Sequence, residues 1–146
     1  MKFKMLSSRC RFWHRDENFS MYMIIKSKLI PKGICVNLFG TIWTRDPSWI
    51  DKYVVNHERI HTAQQRELLF IPFYVLYFIE WLFRLLQYRN RQDAYLNISF
   101  EREAYTHGHD LNYLHRRPLF AWTGYIINSK HENSNHHSAT ERDWQI

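Results

Sequence analysis

Residues 46–61 read DPSWIDKYVVNHERIH, and the way this stretch folds decides the architecture of the chain. Asp46 can cap a helix and Pro47 suits a first helical turn. Ile50, Val54, Ile60 and Leu68 supply apolar positions, and after Pro47 no Gly or Pro intervenes before Pro72. The spacing predicts a helix over 47–70. Within it, His57-Glu58-Arg59-Ile60-His61 forms an H-E-x-x-H pattern. Histidines at i and i+4 stand one above the other, about 6 Å apart at Cβ, so both imidazoles can reach one zinc ion. Glu58 is too close along the helix to be expected as a ligand, yet it can reach a metal-bound water as general base. Zinc brings such a water to a pKa near 7. The bland alternative is a surface helix with solvated His and Glu.

Upstream, Tyr22, Ile24, Ile25, Ile34, Val36, Leu38, Ile42 and Trp43 favour strands, with Pro31-Lys32-Gly33 as a break and Gly40 as a bulge or close approach. Two or three strands of a small antiparallel sheet are expected. Downstream, a second helix is expected over 73–88 and a third over 93–106, ending near Gly108. A short last helix is expected within 118–127. The fold class is α+β: a small N-terminal sheet packed on a mainly helical core. Residues 1–20 read as a basic extension, 21–127 as one domain and 128–146 as a polar tail.

Residues 68–86, LLFIPFYVLYFIEWLFRLL, raise the question of a membrane. Pro72, Glu80 and Arg84 oppose a span, although Glu80 and Arg84 are four apart and can pair. A buried core helix, a helix lying on a membrane surface and a dimer-forming face are the open readings.

A catalytic zinc takes three protein ligands and leaves a position for water. The candidates for the third are Glu101, Glu103, His107 and His109. Glu101 and Glu103 lie about 200° apart around a helix and cannot both face one ion. N-H-E-R-I-H at 56–61 followed by F-E-R-E-A-Y at 100–105 resembles the gluzincin metallopeptidases. It is more narrowly similar to small bacterial minimal-gluzincin proteins and to the peptidase domain of membrane β-lactam-sensor metallopeptidases. That resemblance implies a zincin-like core with two active-site helices, Zn²⁺ held by His57, His61 and Glu101, and Glu58 as catalytic base. Tyr105 stands where the family carries an Asp that supports a ligand histidine. Tyr105 or His107 then becomes the candidate for that support or for an oxyanion donor, and Glu103 the alternative third ligand. The resemblance also makes Val36–Trp43 an edge strand on which a peptide substrate would lie.

The remaining composition bounds these readings. The chain has 146 residues, 45% apolar and 23% charged, enough for one domain with a core and unlike a disordered chain. Cys10 and Cys35 form no disulfide framework and no C-x-x-C pair, which suits a reducing compartment. The basic start is followed by no apolar run of signal-peptide length. A cytoplasmic protein, with or without peripheral membrane contact, is therefore expected. The net charge of +6 and the N-terminal Phe12 and Trp13 bring no nucleic-acid motif with them. The expected activity is zinc-dependent peptide hydrolysis. The rival is a metal-binding interaction or membrane-surface protein on the same scaffold with little or no turnover.

Overall fold

Phe39 and Gly40 both take positive φ, 51° and 75°, and turn a hairpin between β3 (Cys35–Leu38) and β4 (Thr41–Thr44). Two left-handed residues match the twist of paired strands, and glycine adopts such a position without steric cost. In the computed structural model, which describes residues 11–15 and 21–127, the hairpin joins β1 (Arg11–Arg15) and β2 (Met21–Lys26). The four strands lie in the order β1-β2-β4-β3. β1 is antiparallel to β2 and β3 to β4, but β2 runs parallel to β4, with Ile24 opposite Ile42.

The sheet is therefore mixed rather than antiparallel. Its hairpin lays the second strand, not the first, against β2, where the Ser27 N–H donates to the Thr44 carbonyl at 2.8 Å. That arrangement leaves β3 on the edge. The expected strand 36–43 resolves into two strands, of which β4 is internal. Part of the expected N-terminal extension, β1, belongs to the sheet. Residues 1–10, with Cys10, residues 16–20, and 128–146, the expected polar tail, lie outside the described residues.

The first long helix, α1 (Lys52–Glu67), begins later than the spacing predicts. Asp46 caps only a 3-10 turn at Pro47–Trp49. Asp51 is the real cap, its carboxylate accepting from the Tyr53 and Val54 N–H groups at 2.8 and 2.9 Å. Leu69 and Phe70, at φ 54° and 65°, separate α1 from α2 (Ile71–Tyr88). Pro72 sits in the first turn of α2, where its missing N–H has no partner to lose, so it opens a helix instead of breaking one.

The single helix expected over 93–106 is two, α3 (Arg91–Leu96) and α4 (Ser99–His107). The residue before α4, Ile98, has no side chain with which to cap it, and Glu80 of α2 does so from outside. Its carboxylate accepts from the Ser99 N–H at 2.9 Å and from the Ser99 hydroxyl at 2.6 Å. Arg84 pairs with Glu80 at 3.3 Å, as their spacing predicts, and also donates to the Ile126 carbonyl at 2.8 Å. A short α5 (Tyr113–Arg116) and a 3-10 turn at Ala121–Tyr125 close the described chain.

Three small cores hold these layers together. Ile24, Ile42 and Val55 join the sheet to α1, and Ile60, Ala104 and Tyr113 join α1 to α4 and α5. Phe73, Ile98 and Phe100 join α2 to α4, with Trp81 and Trp122 packed against them. Only Phe73 and Arg84 of α2 are buried. α2 is thus not the all-round core helix its composition allows. Among the described residues no single helix is long and apolar enough to cross a membrane.

Charge also binds the helices. Arg117, 4% exposed in its side chain, reaches Glu67 on α1 and Glu103 on α4, whose side chains are 6% and 0% exposed. Arg117→Ala would leave two carboxylates buried without their cation. It should lower unfolding free energy by about 3–5 kcal/mol, read from urea denaturation. An unchanged midpoint would show that the cluster contributes nothing.

Candidate metal centre

His57 and His61 lie on the face of α1 that meets α4, and both are more than nine-tenths buried. Their Nε2 atoms stand 3.1 Å apart. Glu101, in the first turn of α4 and 3% exposed, closes the triangle. Its Oε2 is 3.4 Å from His57 Nε2 and its Oε1 is 3.3 Å from His61 Nε2. These three side chains form a cluster that could hold a metal ion.

The distances test that fit. Ligands about 2.0–2.1 Å from a tetrahedral ion are separated from one another by about 3.3–3.4 Å, close to what is found. Glu101 Oε2 is moreover buried and, among the described residues, has no hydrogen-bond partner, only the His57 imidazole at 3.4 Å. Such an atom is expensive to desolvate unless a cation meets it. Electrostatics agree. Burial pushes the His61 imidazole down, but Glu101, Glu58 and Gln64 outweigh it and raise its pKa to about 9. Burial pushes Glu101 up, and the two imidazoles more than reverse this, holding it well below the usual carboxylate range. The pocket favours positive charge between the imidazoles and the carboxylate.

The surrounding hydrogen bonds fix which nitrogen faces that charge. Gln64 donates through Nε2 to the Phe100 carbonyl at 3.0 Å and to Glu103 Oε2 at 3.1 Å. Its Oε1 must then face His61 Nδ1, 2.8 Å away, which therefore carries the proton. His61 Nε2 is thus the nitrogen that faces Glu101 and His57 and would be the one to meet a metal ion. Glu103 is itself held by Arg117 and by the Tyr113 hydroxyl at 3.1 Å. It is the far end of a chain that orients His61 and does not join the His pair. Tyr77, on α2, donates to Glu101 Oε1 at 2.7 Å and orients the carboxylate in the same way.

The other candidate residues separate clearly. Tyr105 makes a T-shaped ring contact with His57, centroids 4.7 Å apart, and lines the cleft beside it. Burial together with Glu101 pushes the Tyr105 phenol up, so it stays protonated. His107 is turned away. Its Nε2 meets the Tyr125 hydroxyl at 2.8 Å, its ring stacks on Tyr113 at 3.7 Å, and burial lowers its pKa. His109 lies against Tyr53. Glu58 is 6% exposed and opens on the cleft, where its Oε1 accepts from the Cys35 thiol at 3.1 Å. Burial and the neighbouring Glu58 push that thiol up, so it stays a protonated donor.

Asn56, a residue with no evident role in the sequence, ties the two helices together. Its Nδ2 donates to the carbonyls of Gly108 and Asp110 at 2.9 and 3.1 Å, beyond the end of α4. Gly108 is not left-handed. A Cβ there would stand 3.0 Å from the Ala104 carbonyl, which would have to give by a few tenths of an ångström, and in ordinary contact with His57 Cβ at 3.6 Å. On the sheet side, Asn37 of β3 donates to the Glu58 carbonyl and, at 2.8 Å, to the Thr62 hydroxyl. The edge strand is thereby pinned to the motif helix.

A cleft of about 530 Å³ runs between β3 and these helices, with Glu58, His61, Glu101 and Tyr105 in its wall. Gln64 follows His61 by three residues on one helix, a spacing through which its part could have been found. Tyr77 could not be found that way, because it sits in an apolar run with nothing to single it out. Comparison with known proteins finds no matching family, no matching curated relative and no matching solved structure.

Glu101→Ala should abolish stoichiometric metal binding. Tyr77→Phe and Gln64→Leu should retain the metal with affinity lowered about 10–100-fold. Metal content by plasma mass spectrometry and chelator competition check this. Full retention of metal by Glu101→Ala would break the assignment.

Proposed function

We propose that the chain is a zinc-dependent peptidase of minimal gluzincin type. The observation that carries this reading is the three-ligand triangle of His57, His61 and Glu101 with a carboxylate, Glu58, beside it on an open cleft. Two imidazoles and one carboxylate are the donor set of hydrolytic zinc sites that keep a position open for water. When bound, zinc polarises a carbonyl oxygen and makes hydroxide available near neutral pH.

The chain's own groups do the rest. Glu58 takes the proton of the attacking water and delivers it to the leaving nitrogen. The Cys35 thiol donates to Glu58 and fixes one of its oxygens. Tyr105, kept protonated, is the donor within the cleft for the developing oxyanion, a role for which His107 is turned the wrong way. β3 supports the substrate. Among the described residues it pairs on one side only, with β4, and its residues Cys35 to Leu38 line the cleft. A peptide can add there as a further strand, held by main-chain hydrogen bonds.

One observation favours the rival reading of a metal-holding interaction protein: Glu58 is already engaged by Cys35. Glu58→Gln separates the two. The peptidase reading expects this variant to keep one zinc per chain and to lose about 10²–10⁴-fold in cleavage of a peptide library. Wild type that holds zinc and cleaves nothing in the library would overturn it.

A further inference from the structure

The outer face of α2 and its flanks combines two features that together specify a partner. Among the exposed residues of 66–91, nine are large and apolar: Leu69, Ile71, Val75, Leu76, Phe78, Ile79, Leu82, Phe83 and Leu86. Phe83 is 67% exposed and Leu86 70%. The only exposed charges in the same stretch are Arg66 at one end and Arg89 and Arg91 at the other. Its two acids are turned inward, Glu67 onto Arg117 and Glu80 onto Ser99 and Arg84. An apolar strip with cations at both ends and no exposed acid is complementary to a bilayer with anionic headgroups.

We propose that α2 docks this protein on an anionic membrane surface, lying in the interface with its exposed face in the lipid. It does not span. Phe73, Tyr77 and Trp81 on its other face pack against α4, so lipid cannot surround it. A second copy of the chain is a poorer occupant, because pairing the strip with itself would bring arginine ends together with no acid to meet them. The chain beyond Ile127, NSKHENSNHHSATERDWQI, is too polar to cover the strip.

The apolar surface continues past the start of α2. Phe39, in the exposed β3–β4 turn, packs on Phe70 and Tyr74 with ring centroids 5.8 and 5.5 Å apart. Leu38 beside it lines the cleft. Docking would therefore hold the end of the edge strand close to the lipid, a consequence that rests on the peptidase reading while the docking itself does not.

The test is co-sedimentation of the full chain with vesicles. Phosphatidylcholine vesicles containing about 30% phosphatidylglycerol should bind it, and binding should weaken at least about tenfold for pure phosphatidylcholine or in about 1 M salt. The double variant Phe78→Glu/Phe83→Glu should lose binding, and Arg89→Glu/Arg91→Glu should lose the preference for anionic lipid. All four residues are exposed, so circular dichroism should show unchanged folding. Glu58→Gln should bind as wild type does, which separates failure of this proposal from failure of the peptidase reading. Absence of vesicle binding would overturn it. So would a concentration-dependent dimer that Phe83→Glu dissolves in a protein that ignores vesicles, since a second copy would then be what covers the face.

Discussion

Everything in this structure is arranged around a buried carboxylate held against two imidazoles. Glu101 lies almost wholly out of water, 3.3–3.4 Å from the Nε2 atoms of His57 and His61. A desolvated carboxylate costs several kcal/mol unless cations and donors surround it, and imidazoles this close must share few protons. The helices are therefore committed to supplying partners in fixed places. α1 gives both histidines, α4 gives the carboxylate, and α2 gives the Tyr77 hydroxyl. The triangle exists only while all three helices are docked, so its formation and that of the fold are one event.

Hydrogen bonds behind the triangle fix the orientation of its side chains. Tyr105, on the same helix as Glu101, makes a T-shaped ring contact with His57. Support for His61 comes from its own helix, through Gln64, and then across to Glu103 and Arg117. Gln64 can play this part only because its amide is already fixed at the other end by Glu103 and the Phe100 carbonyl. A neutral amide raises imidazole basicity less than a carboxylate would. Glu103 and Arg117 place a buried charge pair behind it, which stiffens the orientation rather than adding charge to the ring.

How far the sequence could be read follows from the range of the interactions. The H-E-x-x-H spacing is local, so the placing of His57, Glu58 and His61 on one helix was legible. Helical geometry showed only that Glu101 and Glu103 cannot both face one ion, and the preference for Glu101 came from the resemblance of F-E-R-E-A-Y. What set the edges of the elements was not local. Asp51 displaces Asp46 as the cap of α1, and the break at Asn97-Ile98 depends on Glu80, nineteen residues earlier in the chain, capping Ser99. Asn56 looked purposeless because its partners are carbonyls more than fifty residues away. The parallel pairing of β2 with β4 was hidden for the same reason: alternation of side chains shows that strands exist, not which neighbour each one takes.

The apolar stretch shows composition and placement giving different answers. Its residues leave a core helix, a surface helix and a dimer-forming face open, while Pro72, Glu80 and Arg84 already oppose a span. The structure adds where those charges go. Glu80 and Arg84, which would oppose a span, both face the protein and are spent on α4 and on the Ile126 carbonyl. Burying them internally removes every charge from the outer face of α2, so the features that argue against crossing a membrane are the ones that leave a surface able to lie on it. The same helix thus serves two sides. Its inner face delivers Tyr77 to Glu101, and its outer face is exposed among the described residues. Substitutions on that outer face should accordingly act on where the protein sits and leave the geometry of the metal centre as it is.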